Sequence, residues 1–237
     1  MIFAPWSSPE SMAVRLSVLV ALTAVAASLP AGVFLGWALA RWNFFGKSLV
    51  ETAVNLPLVL PPVVTGYVLL VAFGRRGIVG GLLDRWFGVH LVFDWKGAAL
   101  ASAVMAFPLM VRSIRLAIAS VDPRLEHAAH TLGAGSIATF FTVTLPLARH
   151  GIIAGAVLGF ARSMGEFGAT IMLAGNIPGQ TQTIPLYIYD LISSPDGFER
   201  SARLVAISIL ISAIALFLGE YLDRRGRRRL LAASSNP

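Results

Sequence analysis

What limits this chain most is the length of its apolar runs. Five stretches, at about 12–40, 49–73, 97–119, 147–175 and 202–222, are long enough to cross a hydrocarbon layer of roughly 30 Å as helices. Backbone groups in that layer must be satisfied internally. The reading is therefore an all-α, polytopic transmembrane helical bundle: one transmembrane domain over residues 1–237, five long spans, and short interfacial or re-entrant helices between them. Composition agrees, because 13% charged residues is about half the roughly 25% of a soluble chain. The sequence has no cysteine, which excludes a disulfide framework, a thiolate metal site and a cysteine nucleophile. The start, MIFAPWSSPESMAVRL, has no basic segment or cleavage site ahead of the first span, so that span is expected to be retained.

Small residues mark the packing faces. Ala24, Ser28, Gly32, Gly36 and Ala40 recur every fourth position in the first span, and Gly151, Gly155, Gly159 and Ser163 do so in the fourth. Such stripes let a neighbouring backbone approach closely. The second span carries Pro57, Pro61 and Pro62, each of which frees a carbonyl. It is either a tolerated kink or an irregular helix lining a pathway with Asn55, Pro61 and Thr65. The segment 74–96 is too polar to span, and its Trp86, Phe87 and Trp95 suit a headgroup interface.

Between the third and fourth spans lies DPRLEHAAHTLGAGSIATFFTVTLP, residues 122–146. Asp122 is an N-cap, Pro123 suits the first helical position and Gly133 is the stop. Leu125, Ala128, Ala129 and Leu132 fall on one narrow apolar stripe. A second helix starts at Ser136, and its apolar run ends at Pro146. The insert is a short helix with a face on offer, clamped between two spans.

The fourth span holds the polar cluster FARSMGEFGAT. Arg162 and Glu166, at i and i+4, neutralise each other at a depth where an unpaired charge costs about 3 kcal/mol. They form either a structural salt bridge or a polar gate with Ser163 and Thr170 beside it, and Gly165 and Gly168 allow local bending. The apolar run 184–192 that follows is too short to span as a straight helix, and is expected to be re-entrant or to plug the outer mouth.

A net charge of +7 does not point to nucleic acid, because the cations sit in loops and in a tail, where arginines fix topology. Arg41, Lys47, Arg112, Arg115, Arg124, Arg149 and five arginines of the tail 223–237 share one side. Arg15, Arg75, Arg76, Arg85, Lys96, Arg200 and Arg203 share the other. The positive-inside bias places the insert and tail in the cytoplasm and the N-terminus outside. The string GKS at 46–48 lacks the glycine that a nucleotide loop needs at the position of Arg41. His90 has no second His, Asp or Glu at a ligand spacing, and His127, His130 and His150 likewise lie at or outside the span boundaries. No catalytic residue, cofactor site or metal site is expected.

The insert resembles the cytoplasmic loop of ABC importer permeases, Glu-Ala-Ala, three residues, Gly, nine residues, Ile-x-Leu-Pro. Ala128, Ala129, Gly133, Leu145 and Pro146 match it. The sequence departs with His127 at the usual glutamate, leaving Glu126 one place earlier, and with Val143 for isoleucine. Together with PLVLPPVVTGYVLL, FARSMGEFGAT and GNIPGQTQTIPLYIY, the pattern is similar to the permease subunits of molybdate/tungstate importers, with sulfate/thiosulfate permeases as near relatives. The resemblance covers about 12–222. It implies the type I importer permease fold, a homodimeric pore, two ATP-hydrolysing partner subunits, an external oxyanion-binding protein, and a bacterial inner-membrane location. It also implies that Glu126, His127, Ala128, Ala129 and Gly133 couple to the ATPase. A secondary anion carrier using Arg162 and Glu166 is the rival from another class, although no internal repeat supports it. An intramembrane enzyme finds no motif.

Overall fold

The computed structural model describes residues 8–194 and 197–234, with side chains to Tyr221 except at Ser8, Glu199 and Arg200. The side chains of the tail arginines and of Arg200, counted above for orientation, thus lie outside the described residues. Every element among the described residues is helical: α1 (Ser8–Arg41), α2 (Lys47–Val59), α3 (Pro62–Phe73), α4 (Ile78–Phe87), α5 (Trp95–Ala119), α6 (Pro123–Thr131), α7 (Ser136–Thr139), α8 (Leu145–Met164), α9 (Gly168–Ala174), α10 (Ile184–Ile192) and α11 (Gly197–Ser234). A π-helical turn, Phe140–Thr144, joins α7 to α8.

The bundle is built around α5. Its start is capped by Asp94, whose carboxylate accepts the Lys96 N–H at 2.8 Å. Its most apolar window is 61% buried, against 11% for the apolar part of α11 at the periphery. The small-residue stripes explain why. A Cβ on Gly32 would lie 2.9 Å from Met110 Cε, and one on Gly36 would lie 2.7 Å from Ile114 Cγ2. From the other side, a Cβ on Gly151 would meet Ala117 Cβ at 2.2 Å, and one on Gly155 the Met110 carbonyl at 3.2 Å. Helices α1 and α8 thus grip α5 from two sides at backbone distance, the geometry that small residues permit in lipid. Met110, Ile114 and Ile118 fill the seam and are fully buried.

Two of the expected long spans are not single helices. Over 49–73 the chain divides into α2 and α3, whose axes differ by 116°. Leu60 and Pro61 are both extended (ψ 143° and 134°), as the residue before a proline prefers, and here two such residues are consecutive. Pro62 then opens α3 at its first turn, where no N–H is needed. Over 147–175 the helix stops at Met164, and α9 begins at Gly168. Four helices among the described residues are long and apolar enough to cross a membrane, or five if the bent α2–α3 pair is one span.

At Pro146, where the sequence reading closes the apolar run of the insert and re-enters a span, the helix continues without a stop. Residues 136–164 run through as one apolar helical stretch, and the proline sits in the first turn of α8 just after the π turn. The π turn has i→i+5 bonding, exemplified by the Leu145 N–H donating to the Phe140 carbonyl, a single-turn insertion of the kind found inside α-helices. The run 184–192 is α10. It buries Ile184, Leu186, Tyr187 and Leu191, and Ile184, Tyr187 and Leu191 cluster with residues of α1, α8 and α11, so it packs against the bundle.

Candidate functional site

The insert has the local structure that its caps dictate. Asp122 accepts the Arg124 N–H at 2.9 Å, and Pro123 occupies the first turn of α6. At the far end Gly133 has φ +88°, a left-handed conformation that suits glycine. The Ala134 N–H reaches the Ala129 carbonyl at 3.0 Å and the Gly133 N–H reaches His130 at 3.0 Å, the paired bonds of a Schellman cap. A stop of this kind is read directly from sequence.

The two leucines of the α6 stripe face outward. Leu125 is 49% exposed and Leu132 89%, and Ile137 and Phe141 continue the surface at 72% and 61%. His127, Ala128 and Gly133 are also exposed, while Ala129 is half-buried. Glu126 is different: it turns inward. Its carboxylate pairs with Arg41 Nε at 2.9 Å and accepts the Thr144 hydroxyl at 2.7 Å, and Arg41 Nη2 donates to the Val121 carbonyl at 2.8 Å. Three pieces of chain therefore meet on one carboxylate: the end of α1, the start of α6 and the π turn. Rings reinforce the joint, with Trp37 4.9 Å from Trp42 and 4.7 Å from Phe140 between centroids. Of the five insert residues read from the sequence, His127, Ala128 and Gly133 are exposed, Ala129 is half-buried and Glu126 belongs to the anchor. Sequence alone assigns Arg41 only a topological charge and does not mark Thr144 or Trp37. Their signal was faint: a lone carboxylate inside α6 needs a cation, and Arg41 at the end of a span is one.

The second set divides likewise. Thr65, Ser163, Glu166 and Thr170 are buried, while Asn55 and Pro61 are exposed. Glu166 lies in the break between α8 and α9 and is 3% exposed. It pairs with Arg162 Nη1 at 2.7 Å and accepts the Ala169 N–H at 2.8 Å. It therefore ties the end of one helix to the free donors at the start of the next. The i, i+4 pair expected inside a continuous helix is instead a bridge across a gap. The hydroxyl of Ser163 donates to the Ser102 carbonyl at 3.5 Å, linking the break to α5.

The two chain breaks meet. A Cβ on Gly168 would lie 2.8 Å from Pro62 Cβ, and one on Gly66 would lie 2.8 Å from the Ala169 Cα and carbonyl oxygen. The start of α3 and α9 are in backbone contact at this crossing. Thr65 and Thr170 both lie in these two elements, and their buried hydroxyls have no hydrogen-bond partner among the described residues, although a helical threonine usually back-bonds to its own helix. Asn55, by contrast, lies on a separate cavity with Glu51, Arg112 and Arg115.

Comparison with known proteins decides the family. Residues 28–228 match the model of the binding-protein-dependent transport system inner membrane component. The chain belongs to that family. Among its relatives, the molybdenum transport system permease protein ModB of Escherichia coli strain K12 is 56% identical over 94% of this chain and 97% of its own length. ModB of Haemophilus influenzae is 54% identical over 93% and 96%. The sulfate transport system permease protein CysW of E. coli K12 is more distant, at 36% over 90% of this chain and 72% of its own. The fold is that of ABC importer permeases. A chain of a bacterial alginate ABC transporter, solved with its alginate pentasaccharide-bound periplasmic protein, superposes with a TM-score of 0.68 at 20% identity, covering 94% of this chain and 80% of that one. A chain of the inward-facing MetNI methionine ABC transporter gives 0.65 at 19%, covering 93% and 99%. Family and helices together make this a multi-pass membrane permease.

Proposed function

We propose that the chain is the membrane-spanning permease of a molybdate importer of the bacterial inner membrane, energised by separate ATPase subunits and fed by an external binding protein. The observation that carries this reading is identity above one half to two ModB permeases over nearly the whole of both chains. The geometry supports it physically: a bundle whose insert offers Leu125, Leu132, Ile137 and Phe141 to a partner is suited to being moved from outside. Two copies form the pore, with two ATPases under it, the insert and the C-terminus in the cytoplasm and the N-terminus outside.

In this reading α6 seats its open stripe in the ATPase, with His127, Ala128, Ala129 and Gly133 at the contact. Glu126, through Arg41 and Thr144, passes the displacement to α1 and α8. Each state must make its own contacts for ATP to shift the balance between them. The crossing of α3 and α9, with Pro61, Thr65, Arg162, Ser163, Glu166 and Thr170, is the part of the pathway closed or opened by that movement. Residues of this chain would hold no cofactor and carry out no catalysis.

Uptake tests the reading. Cells lacking this chain are expected to lose accumulation of radiolabelled molybdate at nanomolar supply and to recover it when the chain is restored. Sulfate is the second substrate to assay, because of the CysW similarity. Sulfate accumulation that depends on the chain, with molybdate accumulation unaffected, would replace the molybdate assignment. Uptake that persists without any ATPase partner would remove the importer reading altogether.

A further inference from the structure

A cavity of about 350 Å³ lies between α1, α2 and α5, and it holds charge that neither the coupling joint nor the helix crossing uses. Two arginines of α5 line it, Arg112 and Arg115, one turn apart and so on one helix face. Opposite them on α2 are Glu51 and Asn55. Arg115 Nη1 pairs with Glu51 Oε1 at 2.9 Å. Arg112 is exposed to the cavity and has no ion pair or hydrogen bond among the described residues. The Asn55 amide donates to the Glu51 carbonyl at 2.7 Å, which leaves its second N–H unused.

The position is informative. Glu51 and Asn55 lie four and eight residues into α2, and Arg115 and Arg112 lie four and seven residues from the end of α5. That places all four roughly 6–12 Å from helix ends. The α1 end is joined to the insert by Arg41 and Glu126, so the cavity is the insert-side mouth of the bundle. Arg112 is exposed at that mouth and unpaired among the described residues, so its charge is available to an entering anion. Guanidinium is also the side chain whose planar fork matches two oxygens of an oxyanion.

We propose that this cavity is a transient site for a tetrahedral divalent oxyanion on its way out of the permease, with Arg112 and Arg115 as its ligands and Glu51 as a built-in competitor. The inference rests on the proposed importer function and adds the exit site to it. An arriving anion is held by Arg112 and displaces the Glu51 carboxylate from Arg115. Recapture of Arg115 by Glu51 then releases the anion. A conduction site has to bind well enough to be entered and weakly enough to be left, and an internal carboxylate supplies the second condition.

Equilibrium binding of radiolabelled molybdate to the purified full-length chain tests this, in parallel with uptake by cells carrying each variant. Wild-type binding is expected to be weak and to fall with added salt. Arg112→Gln should reduce affinity at least tenfold, with Arg112→Lys intermediate. Glu51→Gln should bind several-fold more tightly yet support slower uptake, a gain that misfolding does not produce. Equal binding by wild type, Arg112→Gln and Glu51→Gln would overturn the exit site. So would wild type that binds none at millimolar concentration while cellular uptake is intact, an outcome that leaves the importer function standing. If cells import sulfate and not molybdate, the substrate assignment fails instead, and the same three proteins titrated with sulfate decide the site.

Discussion

Glu126 shows how much one carboxylate can be asked to hold. It is 13% exposed in its side chain, pairs with Arg41 and takes the Thr144 hydroxyl. Removing it leaves Arg41 half-buried with only the Val121 carbonyl, and an orphaned charge costs more than the lost bond. Glu126→Ala is therefore expected to destabilise the protein by about 2 kcal/mol, seen as a lower thermal midpoint in detergent. Thr144→Val, which keeps shape and removes one hydroxyl, should cost only about 1 kcal/mol. If the Glu126 variant melts like wild type, the carboxylate is not the joint described. Glu166 serves a comparable purpose at the other break. Glu166→Gln keeps an acceptor for the Ala169 N–H and loses only the charge facing Arg162. Glu166→Ala loses both. The ordering expected in a melting experiment is wild type, then Gln, then Ala, and equal melting of the two variants would show that the helix-capping bond contributes nothing.

At the scale of elements, the insert and the crossing of broken helices depend on glycine for different reasons. Gly133 needs its left-handed φ, and nothing lies within 4 Å of a Cβ placed there. Gly133→Val therefore meets no clash, but a β-branched residue in that conformation is strained by about 1–2 kcal/mol. The end of α6 should unwind and co-purification with the ATPase fall, while Gly133→Asn, which tolerates the conformation, should retain it. Full complex yield with valine would argue against α6 as the docking element. Gly66 is the reverse case: its φ is ordinary, but a Cβ would strike the backbone of α9 at 2.8 Å. Backbone does not move aside as a flexible side chain does, so Gly66→Ala is expected to cost about 1–3 kcal/mol and to lower the yield of folded protein.

The whole molecule is an unevenly buried bundle. Helix α5 is its interior, α1 and α8 flank it, and α11 turns most of its apolar surface outward. Ile209, Ile214 and Phe217 are at least half exposed, which in a multi-pass permease is surface for lipid. The outward apolar stripe of the insert is another matter, since it lies on the helix with the least apolar sequence. Leu132→Asp should leave monomer stability unchanged, the side chain being 89% exposed, and reduce ATPase capture severalfold. Cysteines placed at 127 and 130 should react with membrane-impermeant reagents only from the cytoplasmic side. Labelling from outside would invert the orientation.

What the sequence determined alone is whatever short-range chemistry enforces. Span-length apolar runs require helices. The Asp122–Pro123 start and the Gly133 stop bound α6 through caps that act within a few residues. Four-residue spacing of glycine and alanine marks the faces where α1 and α8 approach a neighbour. Tertiary structure decided everything that depends on which distant groups meet. The sequence shows that Pro61 and Pro62 disturb a helix, but not that the chain turns through 116° there, because the angle is set by packing of α3 on α9. It pairs Arg162 with Glu166, yet leaves out the break between them, which is held by the Ala169 N–H. It reads Arg41 as a topological charge, although its partner Glu126 lies 85 residues away. Caps and periodicity are local interactions written in adjacent letters, whereas an ion pair between separate helices exists only once packing has brought its partners within about 4 Å.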